Sequence, residues 1–222
     1  MIVTKDFVFL HLHKSGGTFI NQMLLKCEPS ARRLGYHLPY DQLPADFRHL
    51  PVLGTVRNPW AYYVSWYHFQ KGQAHPNALF RTCSDEGRLD FAGTVSNLLD
   101  LSENAKLIAA LAQIFPETFQ VHGLNLTKAC IARISGSGLG FYSFLYHRLY
   151  AGADRLDILR METMRDDFRG FASTGLGRYF LDAAPAMNTS VHGPYQDYYG
   201  AALRDKVARR DASVISRHDY TF

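Results

Sequence analysis

The chain has 222 residues, of which 47% are hydrophobic and 20% charged, a composition typical of folded globular proteins that excludes disordered and collagen-like chains. Its formal net charge of +4 suits a small anionic ligand but falls short of the basic surface of a nucleic-acid-binding domain. Three cysteines without CxxC spacing support neither a disulfide framework nor a zinc site. We expect one domain over residues 1–222, with no metal and no nucleic-acid partner.

Hydropathy gives no sign of a membrane segment. The sequence contains no run of about 18 apolar residues, the minimum for a membrane-spanning helix. A strand-like segment begins almost at Met1, where a signal peptide would otherwise lie. We therefore expect a cytoplasmic protein without a membrane partner, and no pattern in the sequence predicts its oligomeric state.

The first predicted element is a strand over the nearly continuous apolar residues 6–12. A short polar loop that contains Gly16 and Gly17 follows it. Apolar residues then recur at helical spacing through Ile20, Met23 and Leu24. This part of the chain is therefore predicted to run strand, tight loop, helix.

A second buried strand is predicted over residues 51–56, directly before Arg57. The next two residues, Asn58 and Pro59, favour the start of a helix. Asparagine caps helices well, and proline is preferred at the first helical position. A second strand, loop and helix are therefore predicted here.

The rest of the chain continues the alternation of strands and helices. Residues 72–88 are polar and predict a loop, residues 91–115 carry apolar side chains at helical spacing, and residues 156–161 predict a third strand. Residues 201–217 predict one terminal helix. The pattern predicts an α/β fold with three α/β/α layers, a central mostly parallel sheet and a phosphate-binding loop.

The loop after the first strand has the composition of an anion-binding site. Its glycines let the backbone approach a ligand, and the helix N-terminus offers unpaired N–H groups and a favourable dipole. Lys14 adds a positive charge, and the Ser15 and Thr18 hydroxyl groups are further donors. The lysine precedes the glycines, whereas it follows them in the nucleoside triphosphate loop G-x-x-x-x-G-K-S/T. A P-loop kinase or nucleotide hydrolase is therefore the disfavoured alternative.

The order His13-Lys14-Ser15-Gly16-Gly17-Thr18 resembles the 5'-phosphosulfate loop of sulfotransferases that use 3'-phosphoadenosine-5'-phosphosulfate (PAPS). It is most similar to bacterial and carbohydrate sulfotransferases, whose loops read like H-x-x-K-T-G-G-T, with His11 at the first position and serine in place of one threonine. The resemblance implies a P-loop-like fold. It also implies that the cofactor is bound by Lys14, Ser15, Gly16, Gly17, Thr18 and Phe19.

The segment that begins at Arg57 resembles the 3'-phosphate motif of the same family, R-D/N-P-x-x-R-x-x-S-x-Y. Arg57 and Ser65 stand at the family's spacing of eight residues, and the resemblance implies that both bind the 3'-phosphate. Tyr62 stands where relatives often have arginine. Asn188-Thr189-Ser190 and the tyrosines that follow resemble the closing segment of many such enzymes, although an ordinary amphipathic helix has a similar pattern.

The resemblance implies sulfuryl transfer from PAPS to a hydroxyl group, which leaves 3',5'-adenosine bisphosphate (PAP). Lys14 would stabilise the leaving phosphate, and His37 would be the general base, since its segment resembles the one that carries the catalytic histidine of heparan sulfate 6-O-sulfotransferases. A histidine in a loop is often only a surface or hydrogen-bonding residue, and His68 and His11 are the other candidates.

The acceptor is expected to be a glycan or a small hydroxylated molecule. Residues 72–88 and 135–150 are the segments expected to line its pocket, although the spacing of Tyr142, Tyr146 and Tyr150 fits core packing at least as well. A binding module that keeps the fold but has no catalytic activity is the third hypothesis for this chain.

Overall fold

The computed structural model describes residues 1–164, 166–167 and 192–222. Asn188, Thr189 and Ser190, which carry part of the resemblance, lie outside these residues. The described residues form two compact units. The first contains Met1–Arg57, Gln120–Asn125 and the described part of Tyr146–Thr189; the second contains Asn58–Phe119, Leu126–Leu145 and the described part of Ser190–Phe222. A single domain over residues 1–222 stays a prediction.

The first unit is built on a five-stranded mixed sheet in the order β3-β1-β2-β4-β5. Its strands are β1 (Ile2–Val3), β2 (Val8–Leu10), β3 (Arg32–Arg33), β4 (Val52–Val56) and β5 (Leu156–Arg160). The parallel part pairs β2 with β4 and β4 with β5, with Leu53 opposite both Phe9 and Asp157. The strands β1 and β3 extend the sheet by antiparallel pairing.

The three predicted strands are confirmed as β2, β4 and β5, and β2 leads through a loop into α1 (Gly17–Cys27) as expected. The sequence pattern missed β3, because its two residues are exposed arginines in a polar stretch and have no apolar alternation. The fold class is confirmed as α/β, with a mostly parallel sheet core flanked by helices.

One face of the sheet packs on helix α1. Side chains of the strands, such as Phe9, Leu53 and Leu159, meet Ile20 and Leu24 of the helix in one buried cluster. Leu159 lies opposite Thr55, which is two residues after Leu53, so Leu53 and Leu159 point to the same face of the sheet. This packing fixes the start of α1 beside the carboxyl end of β2.

The opposite face of the sheet is covered by the end of helix α7 (Phe141–Tyr150). A Cβ at Gly54 would lie 2.6 Å from the ring of Tyr150, so glycine leaves the space that this ring fills. Strand β2 stops at Leu10, opposite Gly54, whereas β4 continues to Val56. The Tyr150 hydroxyl accepts from the Thr55 N–H at 2.8 Å and donates to the Thr55 carbonyl at 2.7 Å. The Tyr150 side chain thus replaces the backbone hydrogen bonds that Thr55 of β4 cannot make with β2, because β2 ends before this residue.

The second unit consists of helices. They are α2 (Pro59–Lys71), α3 (Ala78–Cys83), α4 (Phe91–Leu99), α5 (Ala105–Ile114), α6 (Lys128–Ile134), the first part of α7, α8 (Ala201–Arg210) and α9 (Ala212–Arg217). Asn58 caps α2 as predicted, accepting from the N–H groups of Trp60 and Ala61. Helix α3 corrects the prediction of a loop over residues 72–88: its buried Leu79 and Phe80 are too few to show a helical period.

The predicted terminal helix over residues 201–217 is also corrected, because it is broken at Asp211 into α8 and α9. Asp211 is fully buried and accepts hydrogen bonds from the Tyr63 hydroxyl at 2.7 Å and from the Ser143 N–H at 2.8 Å. Its carboxylate thereby caps the first turn of α7 from another part of the chain. A tertiary contact of this kind leaves no periodic signal in the sequence.

Among the described residues, no helix combines the length and the apolar character that a membrane span requires. The three cysteines are free thiols, of which Cys83 and Cys130 are buried and Cys27 is partly exposed. Tyr142, Tyr146 and Tyr150 are all buried, which favours core packing as the reason for their spacing.

Replacing Tyr150 with phenylalanine should destabilise the protein by about 1–3 kcal/mol, because the Thr55 N–H and carbonyl would both lose their partner in the interior. Urea unfolding measures the change. Tyr40→Phe is the matched control, since the Tyr40 hydroxyl makes only a long bond to the Arg48 carbonyl, at 3.4 Å. Equal stabilities of Tyr150→Phe and Tyr40→Phe would contradict the role given to Tyr150.

Burial raises the pKa of Asp211 from 3.8 to about 6. A raised pKa in the folded state means that this group favours folding most below its unfolded pKa and progressively less as the pH rises through about 6. The wild type should therefore lose stability between about pH 5 and about pH 7.5, whereas Asp211→Asn should not. Relative to the wild type, the free energy of unfolding of Asp211→Asn should increase by about 1 kcal/mol over this range. Urea titrations of the wild type and Asp211→Asn at both pH values test this, and an unchanged difference between the two proteins would contradict the role given to Asp211.

Candidate anion-binding site

The loop between β2 and α1 ends in a helix start that has no side-chain cap within the described part of the chain. Gly16 stands at the cap position with φ 77°, a left-handed conformation that suits glycine, and the Phe19 N–H bonds back to its carbonyl at 3.1 Å. No described residue accepts from the N–H groups of Gly17 and Thr18. These two donors and the helix dipole are available to an anion where the sequence predicts an anion site, and the site itself stays a prediction.

Gly17 is required by the ring of His11. A Cβ at residue 17 would lie 2.0 Å from Cδ2 and 2.6 Å from Nε2 of His11, closer than any side chain tolerates. His11 is buried, with 4% of its surface exposed, and follows directly after β2. The spacing of histidine and second glycine in the sequence motif thus has a packing reason, and the imidazole lies against the first residue of α1.

Asn21 is a residue of this site that sequence reasoning missed. It lies one helical turn after Gly17, on the same face of α1, and its Nδ2 lies 3.0 Å from Nδ1 of His11. The sequence does contain a signal for this residue: Asn21 is polar within an apolar helical pattern, and it stands four residues after Gly17. Asn21 is buried, and its Oδ1 has no hydrogen-bond partner among the described residues.

Two cations meet at this loop. The guanidinium Nη1 of Arg57 donates to the carbonyl of Lys14 at 3.3 Å, which ties the end of β4 to the loop after β2. Lys14 has φ 55°, an unusual conformation for a residue with a side chain. Burial and then the charge of Arg57 lower the pKa of Lys14 to about 8. An anion between the two cations would reduce their repulsion.

The remaining loop residues are placed as follows. Ser15 is fully buried, and its hydroxyl donates to the His13 carbonyl at 3.3 Å, so it also stabilises the loop itself. Thr18 and Phe19 lie in the first turn of α1 and are partly buried. The binding of the cofactor by each of these residues stays a prediction.

His37 lies beside His11 in the first unit, with ring centroids 4.4 Å apart. Its Nδ1 lies 2.8 Å from the carbonyl oxygen of His11, so Nδ1 carries the proton and donates it to that oxygen. In the neutral ring the lone pair is then on Nε2. Burial lowers the pKa of His37 to about 4, so the ring is neutral near pH 7.

A third histidine completes the group. The ring of His13 lies edge-on to that of His37, with centroids 5.3 Å apart. Burial is the main cause that lowers the pKa of both His11 and His13, and the neighbouring histidines add to it. Three neutral imidazoles therefore lie together beside the loop that carries Lys14. Among the described residues, no group of three or more His, Cys, Asp or Glu side chains is arranged to hold a metal ion.

Two of the residues that the sequence predicts for the site, Ser65 and His68, belong to the second unit. Ser65 is buried on α2, and its assignment to the nucleotide stays a prediction. His68, the alternative base, is partly buried on the same helix, with its ring centroid 4.8 Å from that of Tyr198. Its Nε2 has no partner in the described ranges. The structure thus brings together Lys14, Arg57, His37 and His11 within the first unit.

No family model and no curated protein matches this sequence. Among solved structures, the fold is similar to that in the crystal structure of mouse sulfotransferase SULT7A1 complexed with PAP. The TM-score is 0.55, with 13% sequence identity over 98% of this chain and 86% of that chain. The likeness at this identity concerns the fold alone, and the chain has an α/β fold like that of a sulfotransferase.

Proposed function

We propose that this protein transfers a sulfuryl group from PAPS to a hydroxyl group of a carbohydrate or a small-molecule acceptor. The observation that carries the proposal is the start of α1, which has no side-chain cap among the described residues and lies beside two cations in a fold similar to that of a sulfotransferase. The occurrence of PAP in the SULT7A1 crystal supports the choice of nucleotide.

The 5'-phosphosulfate would be held by the backbone from Gly16 to Thr18 and by Lys14. Lys14 acts on the charge that builds up on the phosphate as the sulfuryl group leaves, because a cation in a partly buried site stabilises such charge strongly. Ser15 and Phe19 complete this half of the site, and Arg57 and Ser65 would bind the 3'-phosphate. No metal takes part in the proposed arrangement.

His37 is the proposed general base. The acceptor hydroxyl must lose a proton as it attacks sulfur, and Nε2 of His37 carries the lone pair that receives it. The Nδ1–H bond to the His11 carbonyl holds the ring in this tautomer. Burial lowers the pKa of His37 to about 4, which keeps the ring unprotonated near pH 7 and so able to accept a proton.

The finer assignments rest on the sequence alone. A carbohydrate acceptor, the particular similarity to bacterial enzymes and a cytoplasmic location stay predictions, as do residues 72–88 and 135–150 as the lining of the acceptor pocket. Transfer of labelled sulfate from PAPS across a panel of glycans and phenols tests the activity. Magnesium-dependent ATP turnover without sulfate transfer would overturn the proposal in favour of a kinase or hydrolase. PAP binding without transfer to any acceptor would favour a binding module.

Replacing Lys14 with methionine should weaken PAP binding by about 10- to 100-fold, because a charge-assisted contact is lost while the side-chain length is kept. In the wild type, affinity should also fall as the pH rises past about 8, where Lys14 loses its charge. Isothermal titration calorimetry at several pH values measures both effects. The exposed Lys26→Met, on the same helix as the loop end, is the control; equal affinities of the two variants would count against the site.

Replacing His37 with asparagine should lower kcat by about 10²- to 10⁴-fold with little change in PAP affinity. The asparagine Nδ2 keeps a donor for the His11 carbonyl, whereas no group remains to accept the proton. Sulfate transfer at saturating PAPS and calorimetry with PAP separate the two effects. His49→Asn, at an exposed position, is the control. Normal turnover in His37→Asn would move the role of base to His68 or His11.

A further inference from the structure

His11 and His37 have opposite hydrogen-bonding arrangements. The Nδ1 of His37 faces a carbonyl oxygen and must carry a proton, whereas the Nδ1 of His11 faces the amide Nδ2 of Asn21, which only donates. The Nδ1 of His11 must therefore accept. A neutral imidazole that accepts at Nδ1 carries its proton on Nε2.

The orientation of the Asn21 amide follows from what the opposite one would cost. The amide lies with Nδ2 toward His11, at 3.0 Å from Nδ1, so the group without a partner among the described residues is an oxygen, and orphaned oxygens are less rare in proteins than orphaned N–H donors. In the present orientation the unpaired atom is the oxygen Oδ1. Asn21 thus fixes the tautomer of His11.

The proton on Nε2 of His11 lies at the start of α1. Nε2 is 2.6 Å from the position that a Cβ on Gly17 would occupy, in the first turn of α1, where the N–H groups of Gly17 and Thr18 have no acceptor among the described residues. The hydrogen bond of the His11 ring to another described residue is made at Nδ1, which leaves Nε2 available to a ligand. A donor in this position points to an anion as its partner.

We propose that His11 is a further anion-binding residue, which donates its Nε2–H to the 5' group of the nucleotide, and that Asn21 is the positioning residue that keeps the proton on Nε2. The inference rests on the proposed function for the identity of the anion. The two histidines then have different roles: His11 donates a hydrogen bond to the nucleotide, while His37 receives the proton of the acceptor hydroxyl.

The donor stays neutral over the working pH range. Burial is the main cause that lowers the pKa of His11. The ionisable groups that face the ring add to it: His37 and His13 in the adjoining loops, the Met1 amine just before β1, and Arg33 on β3. Anion binding through His11 should therefore not depend on pH in the wild type.

The substitution Asn21→Asp tests the inference, because a carboxylate can only accept from Nδ1 and so moves the proton away from Nε2. We compare the Kd for PAP of Asn21→Asp with that of the wild type from about pH 6 to about pH 8.5. The ratio should rise with pH and reach about tenfold or more at the upper end, where the imidazole has only the Nδ1 proton. Gln22→Glu adds the same charge at an exposed position on α1 and should give a constant ratio.

A second readout needs no nucleotide. In ¹⁵N-labelled protein, the nitrogen shifts of His11 should show a protonated Nε2 and an unprotonated Nδ1 in the wild type, and a protonated Nδ1 in Asn21→Asp. A wild-type ring protonated on Nδ1, or a Kd ratio that does not change with pH, would overturn the inference. If the wild type did not bind PAP at all, the proposed function and the anion contact of His11 would both fail, and the nitrogen shifts would still decide the role of Asn21.

Discussion

The close packing of His11 on Gly17 is the constraint on which the candidate site depends. The imidazole takes the space that any side chain at residue 17 would need, so the end of β2 and the start of α1 lie in contact. The sheet holds one partner, and the cluster of Phe9, Ile20 and Leu24 holds the other. The N–H groups at the start of α1, which have no side-chain cap in the part of the chain that the structure describes, are thereby held in a rigid frame, the condition for strong electrostatic stabilisation of an anion.

The charges around this frame favour the binding of an anion, and they also keep the neighbouring histidines neutral. Lys14 and Arg57 supply the positive charge, and their mutual repulsion makes an anion a stabilising partner. The histidines beside them lose their charge through burial and through one another. A cationic loop next to neutral imidazoles would suit the sulfuryl transfer proposed above, because one part would bind the donor while the other would accept a proton.

In each of the two units, a buried polar side chain stabilises the fold by hydrogen bonds to backbone groups. Asp211 interrupts the terminal helix so that its carboxylate meets the Tyr63 hydroxyl and the Ser143 N–H. In the first unit, the Tyr150 hydroxyl pairs with both backbone groups of Thr55 where β2 ends. Both contacts satisfy backbone groups that would otherwise be buried without partners, at a distance of many residues along the chain.

The sequence by itself determined the local elements and the chemistry of the loop. Buried strands followed by glycine or by Asn58-Pro59 predicted β2, β4 and the helices after them, because apolar periodicity, caps and turns are local properties. It also singled out Lys14 and His37. Only the tertiary structure decided that Asn21 fixes the tautomer of His11 and that Asp211 breaks a helix. Both depend on side chains that meet across folded elements, where no spacing along the chain records the contact.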